Sequence, residues 1–264
     1  MKPPRALLPL CLVPLLVAVA ACDIGFGSEF HAQETAEWRK TFELERGGRV
    51  EIRNVNGQIA VEPGSGSTVE VVALKRARAA SPEAAREALD RIEIVENVAP
   101  DAVRLETRHP PPSGLFGRGG GEVRYTVKVP PSSSLRLSTV NGGIELLGVD
   151  GEVDVETTNG GIRARDIGGP IQASTTNGGV DVEVTRVADR GVKLSCTNGG
   201  VRLRLPAEAR ADISASVTNG GIDADGLTLE ISESSRRRLE ARLNGGGPPI
   251  TLEGTNGGIR LGPR

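Results

Sequence analysis

Aromatic side chains are almost missing from this chain: it has one Trp, one Tyr and four Phe in 264 residues. Without them no surface can stack nucleotide bases, and no sugar-binding face can be built on aromatic rings. Burial must rest on Val, Ile, Leu and Ala. Histidine is limited to His31 and His109. These fall in a tether and in a Pro/Gly-rich loop, so neither makes a general base or a metal ligand. An excess of charge of one sign is also missing. The 32 basic residues face 34 acidic ones, a formal net charge of −2. That balance gives no field for nucleic acid or for an anionic membrane, and no nucleic-acid partner is expected.

Catalytic motifs are lacking as well. No Gly-x-Ser-x-Gly elbow, phosphate loop or zinc spacing occurs. "DIGG" and "DADG" place acids beside glycines without the full calcium-loop pattern. An enzyme needs convergent groups, and none is visible. The expectation is a non-enzyme with no cofactor, no metal and no catalytic residue.

Cysteine occurs only as Cys11, Cys22 and Cys196. The first lies in an export-type segment: Lys2 and Arg5, the apolar run "ALLPLCLVPLLVAVA", then small residues. A transmembrane helix needs about 20 apolar residues; this run is shorter and contains Pro9 and Pro14. The ending "VAAC" resembles the bacterial lipobox, whose cysteine is acylated and becomes the mature N-terminus. Residues 1–21 are therefore expected to be a lipoprotein signal peptide, Cys22 the lipid attachment site, and 22–37 a tether. Acyl chains anchor at about 0.8 kcal/mol per buried methylene. With Cys11 removed and Cys22 acylated, Cys196 stands alone, and no disulfide framework is available despite an oxidising compartment.

Glycine is abundant, with 35 residues, and it falls into a pattern. Asn-Gly-Gly recurs with its asparagine at Asn141, Asn159, Asn177, Asn198, Asn219 and Asn256, the first four intervals being 18, 18, 21 and 21 residues. "NVNGQIAVE", with Asn56, is an outlying degenerate copy, and "LNGGGPPI" at 243–250 is an irregular one. Three residues after each asparagine stand Ile144, Ile162, Val180, Val201, Ile222 and Ile259. Two before stand Thr139, Thr157, Thr175, Cys196, Val217 and Gly254. Apolar residues also recur four and six positions before it. Period-two alternation with one apolar face marks half-buried strands. Each repeat thus holds two short strands meeting at a corner where Asn and Gly tolerate positive φ. Cys196 falls in the inward row and reads as a small core residue, since a reactive thiol needs a cationic, exposed setting.

Asn-Gly between alternating strands also suits hairpins, so the outward charges have to discriminate. Four residues after each asparagine run Glu145, Arg163, Asp181, Arg202, Asp223 and Arg260. Opposite signs in successive repeats favour stacked coils, where like positions are neighbours. Side-chain amides of the asparagine ladder would stack as in cross-β arrays, and parallel crossovers favour a right-handed coil. The threonines just before each asparagine (Thr158, Thr176, Thr197, Thr218 and Thr255) read as corner hydroxyls satisfying backbone groups, rather than as a row ordering water.

The expected architecture is all-β: a single-chain β-solenoid of two-strand coils with Asn-Gly-Gly corners. A strand and helix cap section spans 38–130, and the repeat solenoid 131–264. One short helix is expected in "SPEAAREALDRIEI", with Ser81 as N-cap and Pro82 at the first helical position. "RHPPPSGLFGRGGGE", 108–122, is a Pro/Gly excursion, and "ESSRRRLEARL", 233–243, is a strand pair or a basic loop. The export signal, "NVNGQI", the serial "TNGG[IV]" coils and the terminal "ITLEGTNGGIRL" together resemble the bacterial putative adhesin family of β-strand repeats, the domain of unknown function 4097. The resemblance covers residues 38–264. It implies an exported, often envelope-anchored solenoid and brings no catalytic residues.

The function expected is non-catalytic: a lipid-anchored lipoprotein of the cell envelope, presenting a repetitive surface to an envelope or cell-surface protein or polysaccharide. Two other readings stand beside it. One is a periplasmic regulator answering envelope stress or antimicrobial peptides through loops 108–122 and 233–243. The other is a β-helix enzyme acting on acidic polysaccharide, which the alternating charges disfavour.

Overall fold

The computed structural model describes residues 32–109 and 120–264. The first part of the chain forms β1 (Ala32–Glu43), β2 (Arg49–Arg53), β3 (Ile59–Pro63), β4 (Thr68–Ala79), α1 (Pro82–Asp90), β5 (Glu93–Ala99), β6 (Ala102–Arg108) and β7 (Gly120–Val129). The first four repeats follow as β8 (Ser134–Asn141), β9 (Ile144–Val149), β10 (Val153–Asn159), β11 (Ile162–Ile167), β12 (Ile171–Asn177), β13 (Val180–Val184), β14 (Val192–Asn198) and β15 (Val201–Leu205). The chain ends with β16 (Ala211–Asn219), β17 (Ile222–Ala224), β18 (Leu229–Ser234), β19 (Arg238–Leu243), β20 (Pro249–Asn256) and β21 (Ile259–Pro263).

Each repeat places one strand in each of two large sheets, of 10 and 11 strands. Neighbouring repeats pair parallel, not as hairpins: Asn159 lies beside both Asn141 and Asn177, and Ile162 beside both Ile144 and Val180. The fold is a β-solenoid. Its inward rows from both sheets merge into one apolar core running the length of the stack. Val, Ile and Leu carry it. Full burial of each such side chain contributes about 1.5–3 kcal/mol, and parallel strands covered on one face satisfy their backbone groups on both sides.

The stacking order is not the chain order. The last repeat, β20–β21, lies between β14–β15 and β16–β17. Beyond β16 the sheet is extended by the antiparallel hairpin β18–β19, which covers the core end with Leu239, Ala241 and Leu243. The chain then returns to fill the slot between the two coils, where β20 finds a hydrogen-bonding partner on either side. The sign alternation expected from sequential stacking therefore fails at one step, because Arg202 sits beside Arg260 and Asp223 lies on the far side of Arg260.

The N-terminal end is also re-ordered. β2–β3 stacks directly on β8–β9 with Asn56 bridged to Asn141, so this copy is a regular coil and not an outlier. β6–β7 stacks outside it. "LNGGGPPI" is no corner: Asn244 and Gly245 both take positive φ in a turn after β19. The Asn244 amide donates to the Ala207 and Ala209 carbonyls. Helix α1 has its N-cap at Ser81, whose hydroxyl accepts from the Ala84 N–H at 3.2 Å. β1 begins at Ala32 and pairs with β4 over its whole length, so the strand takes in the last six residues of the expected tether.

Candidate functional site

The corners build a continuous edge along the stack. The asparagine amides form one polarised chain. Asn219 donates to Asn256, Asn256 to Asn198, Asn198 to Asn177, Asn177 to Asn159, Asn159 to Asn141 and Asn141 to Asn56, each at 2.8–2.9 Å. The Asn56 Nδ2 ends the chain on the Gly121 carbonyl. Such a chain strengthens each member by polarisation.

The first glycine of each corner is fixed by close approach. A Cβ on Gly178 would lie 2.0 Å from the Gly160 carbonyl oxygen, and one on Gly160 2.0 Å from that of Gly142. The carbonyls of these first glycines point inward and accept from the row two residues before the asparagine. Thr139 donates to Gly57, Thr157 to Gly142 and Thr175 to Gly160. Backbone satisfaction by hydroxyls is thus the work of the buried threonines, whereas the Thr158, Thr176, Thr197, Thr218 and Thr255 row is exposed.

Cys196 continues the inner row. Its Sγ donates to the Gly178 carbonyl at 2.9 Å, as the threonines do to theirs. Burial raises its pKa, which keeps the thiol protonated and unreactive. Cys196→Thr is expected to fold with an unfolding free energy within about 1 kcal/mol of the parent, since Thr fills this slot in three other coils. Equilibrium unfolding checks this; a loss of several kcal/mol would contradict the shared role.

The second glycines behave differently. The N–H groups of Gly143, Gly161, Gly179, Gly200, Gly221 and Gly258 have no acceptor among the described residues, although the residues on either side of all but Gly221 donate to the next coil. Peptides are trans, so an amide N–H points opposite to the carbonyl of the same peptide unit. With the Gly142, Gly160 and Gly178 carbonyls aimed at buried Thr and Cys side chains, the next N–H groups point outward. There a groove of about 640 Å³ runs across the coils. Its floor is Gly143, Gly161, Gly179, Gly200 and Gly258, and its wall is Glu145, Arg163, Asp181, Arg202 and Arg260. Glu145 pairs with Arg163 at 2.9 Å. Asp181 is shared by Arg202 at 3.5 Å and Arg204 at 3.1 Å, and Arg260 makes no ion pair among the described residues. These pairs are substantially exposed and contribute little stability.

Cys22, His31 and most of the 108–122 loop lie outside the described residues. His109 is half-buried and its pKa is lowered by desolvation, so it is neutral at pH 7. The segment 233–243 belongs to hairpin β18–β19, with exposed Arg236 and Arg237 at its turn beside the last corner, where Arg237 donates to the Thr218 carbonyl. Sequence reasoning found the asparagine row and the charged row. It missed the donor row and the Arg202–Arg260 neighbours, because neither the carbonyl directions nor the coil order can be read from spacing. Among the described residues no helix is long and apolar enough to cross a membrane, and no three metal-ligating side chains cluster.

No curated protein matches the chain. A putative cell adhesion protein from Clostridium sporogenes has a similar solved structure, at 13% identity and a TM-score of 0.50, covering 88% of this chain and 100% of that one. A putative adhesin from Bacteroides fragilis is similar at 8% identity and a TM-score of 0.38, covering 86% and 97%. The sequence of residues 112–261 matches the Toastrack DUF4097 family, which is more than half of the chain. The chain therefore belongs to the Toastrack DUF4097 family.

Proposed function

We propose that the chain is a non-catalytic β-solenoid, exported and lipid-anchored through Cys22, that presents a repetitive surface to a partner at the cell envelope. The observation that supports this most is the corner edge. Six coils repeat an exposed Asn-Gly-Gly corner in register, and no described cluster joins a nucleophile, a base and an oxyanion donor. The groove carboxylates Glu145 and Asp181 are ion-paired and partly exposed, an arrangement suited to contact rather than to proton transfer. Cell adhesion, the role named for the Clostridium sporogenes protein, is the kind of role this reading carries over to the chain. The test is retention of the purified full-length chain on isolated envelopes, compared with an unrelated β-solenoid of matched net charge. Retention above that control is the expected result. Equal retention would contradict the reading.

A further inference from the structure

We propose that the corner groove binds a linear acidic polysaccharide, laid along the stack and left uncleaved. This deepens the surface-binding reading and rests on it. The second-glycine position is far more open than the first: a Cβ would lie 3.3–3.5 Å from a carbonyl oxygen at Gly143, Gly161, Gly179, Gly200 and Gly258, and would meet nothing within 4 Å at Gly221. None of these glycines takes a left-handed φ. The coil of β2–β3 carries Gln58 there, so a side chain is accommodated. All six other coils nevertheless hold glycine. Packing accounts for the first glycine of each corner and not for the second.

Leaving the row bare uncovers the N–H donors. Each sits one coil, about 4.8 Å, from the next, and each lacks an acceptor among the described residues. Acceptor oxygens of a bound chain would complete them. The charged wall sets the sign. Arg202 and Arg260 are adjacent in register, and side-by-side like charges destabilise a sheet unless an anion lies between them. Arg202 shares Asp181 with Arg204, and Arg260, with Asp223 as its register neighbour on the other side, makes no ion pair among the described residues. A carboxylate bridging the two guanidiniums relieves the repulsion, while Glu145 and Asp181 offer acceptors for hydroxyls.

A peptide fits less well. An extended strand presents like groups about every 6.6–6.8 Å, which loses register with the coils within two steps. Peptide recognition also needs sockets for side chains. The only apolar lining here is Ile162, Val180 and Val201, which are 1%, 1% and 2% exposed. A chain of pyranose rings carries hydroxyls and carboxylates at every unit and needs no socket. Without aromatic platforms, contact falls to the backbone donors and arginines.

The experiment is calorimetric titration of the full-length chain with polygalacturonate and alginate, beside methyl-esterified polygalacturonate and polyglutamate. The variants are Arg202→Ala/Arg260→Ala, Gly179→Leu, and Lys193→Ala on the exposed face of the other sheet, each checked for an unchanged urea midpoint. The acidic polysaccharides are expected to bind. Roughly tenfold or greater weakening is expected on esterification and in both groove variants, with no change for Lys193→Ala. Absence of binding, binding indifferent to the groove variants, or equal binding of polyglutamate would overturn the proposal. If the groove variants are still retained on envelopes, the groove assignment alone falls. If the parent chain is not retained, the surface-binding reading itself falls.

Discussion

Val180→Asp is expected to cost several kcal/mol of folding stability, enough to unfold the central coils at neutral pH. Val180 is 1% exposed, opens β13, and lies in register between Ile162 and Val201. The substitution forfeits about 1.5–3 kcal/mol of apolar burial and places a carboxyl where no donor faces it, which adds desolvation. Desolvation raises the folded-state pKa of such a carboxyl above its unfolded value. A raised folded pKa means that stability is retained below the unfolded pKa and lost as pH rises through the folded one. The deficit should therefore be smaller at pH 4 than at pH 7. Urea titrations at both values measure it. A deficit under about 1 kcal/mol at pH 7 would mean that Val180 does not face the core.

Gly178→Ala should be nearly as damaging, and Gly179→Ala nearly silent, although the two residues are adjacent and chemically identical. At Gly178 φ is +153°, and an added methyl would meet the Gly160 carbonyl oxygen at 2.0 Å, backbone against backbone. Neither side can rotate away, so the coils must separate and break Asn and Thr hydrogen bonds on either side. The cost should exceed the ~1–3 kcal/mol of ordinary overpacking. At Gly179 the methyl enters the groove at ordinary contact distance, and the effect should stay within about 0.5 kcal/mol, as for surface positions. Chemical-denaturation midpoints of the two variants decide it. Equal losses would contradict the division of the corner into a packed and an open glycine row.

The same corner explains how much was legible in the sequence. Inward rows were legible because a strand exposes alternate residues, so Ile162, Val180 and Val201 announce one face whatever their neighbours. Parallel stacking was legible from the charged row. Coil order was not, since every coil carries the same rows and fits any neighbour. Only the charges distinguish one order from another, and they mislead at Arg202, Arg260 and Asp223. Asn56 looked peripheral because Gln58 breaks the motif, yet its backbone satisfies the stack as the others do. Asn244 looked like a corner because Asn-Gly-Gly also suits a positive-φ turn. The donor row was invisible for a further reason. Which peptide turns its carbonyl inward depends on a hydroxyl in the next coil, and that contact exists only after stacking.

Amide hydrogen exchange, read residue by residue at the corners, is the measurement to which the open donor row is most exposed. Fast exchange is expected at Gly161, Gly179, Gly200 and Gly258, whose N–H groups point outward without acceptors among the described residues. Protection greater by orders of magnitude is expected at Ile162, Val180, Val201 and Ile259 immediately beside them, which donate across the stack. Comparable protection at both sets would mean that the second-glycine amides are already bonded within the protein. The open edge on which the binding face rests would then not exist.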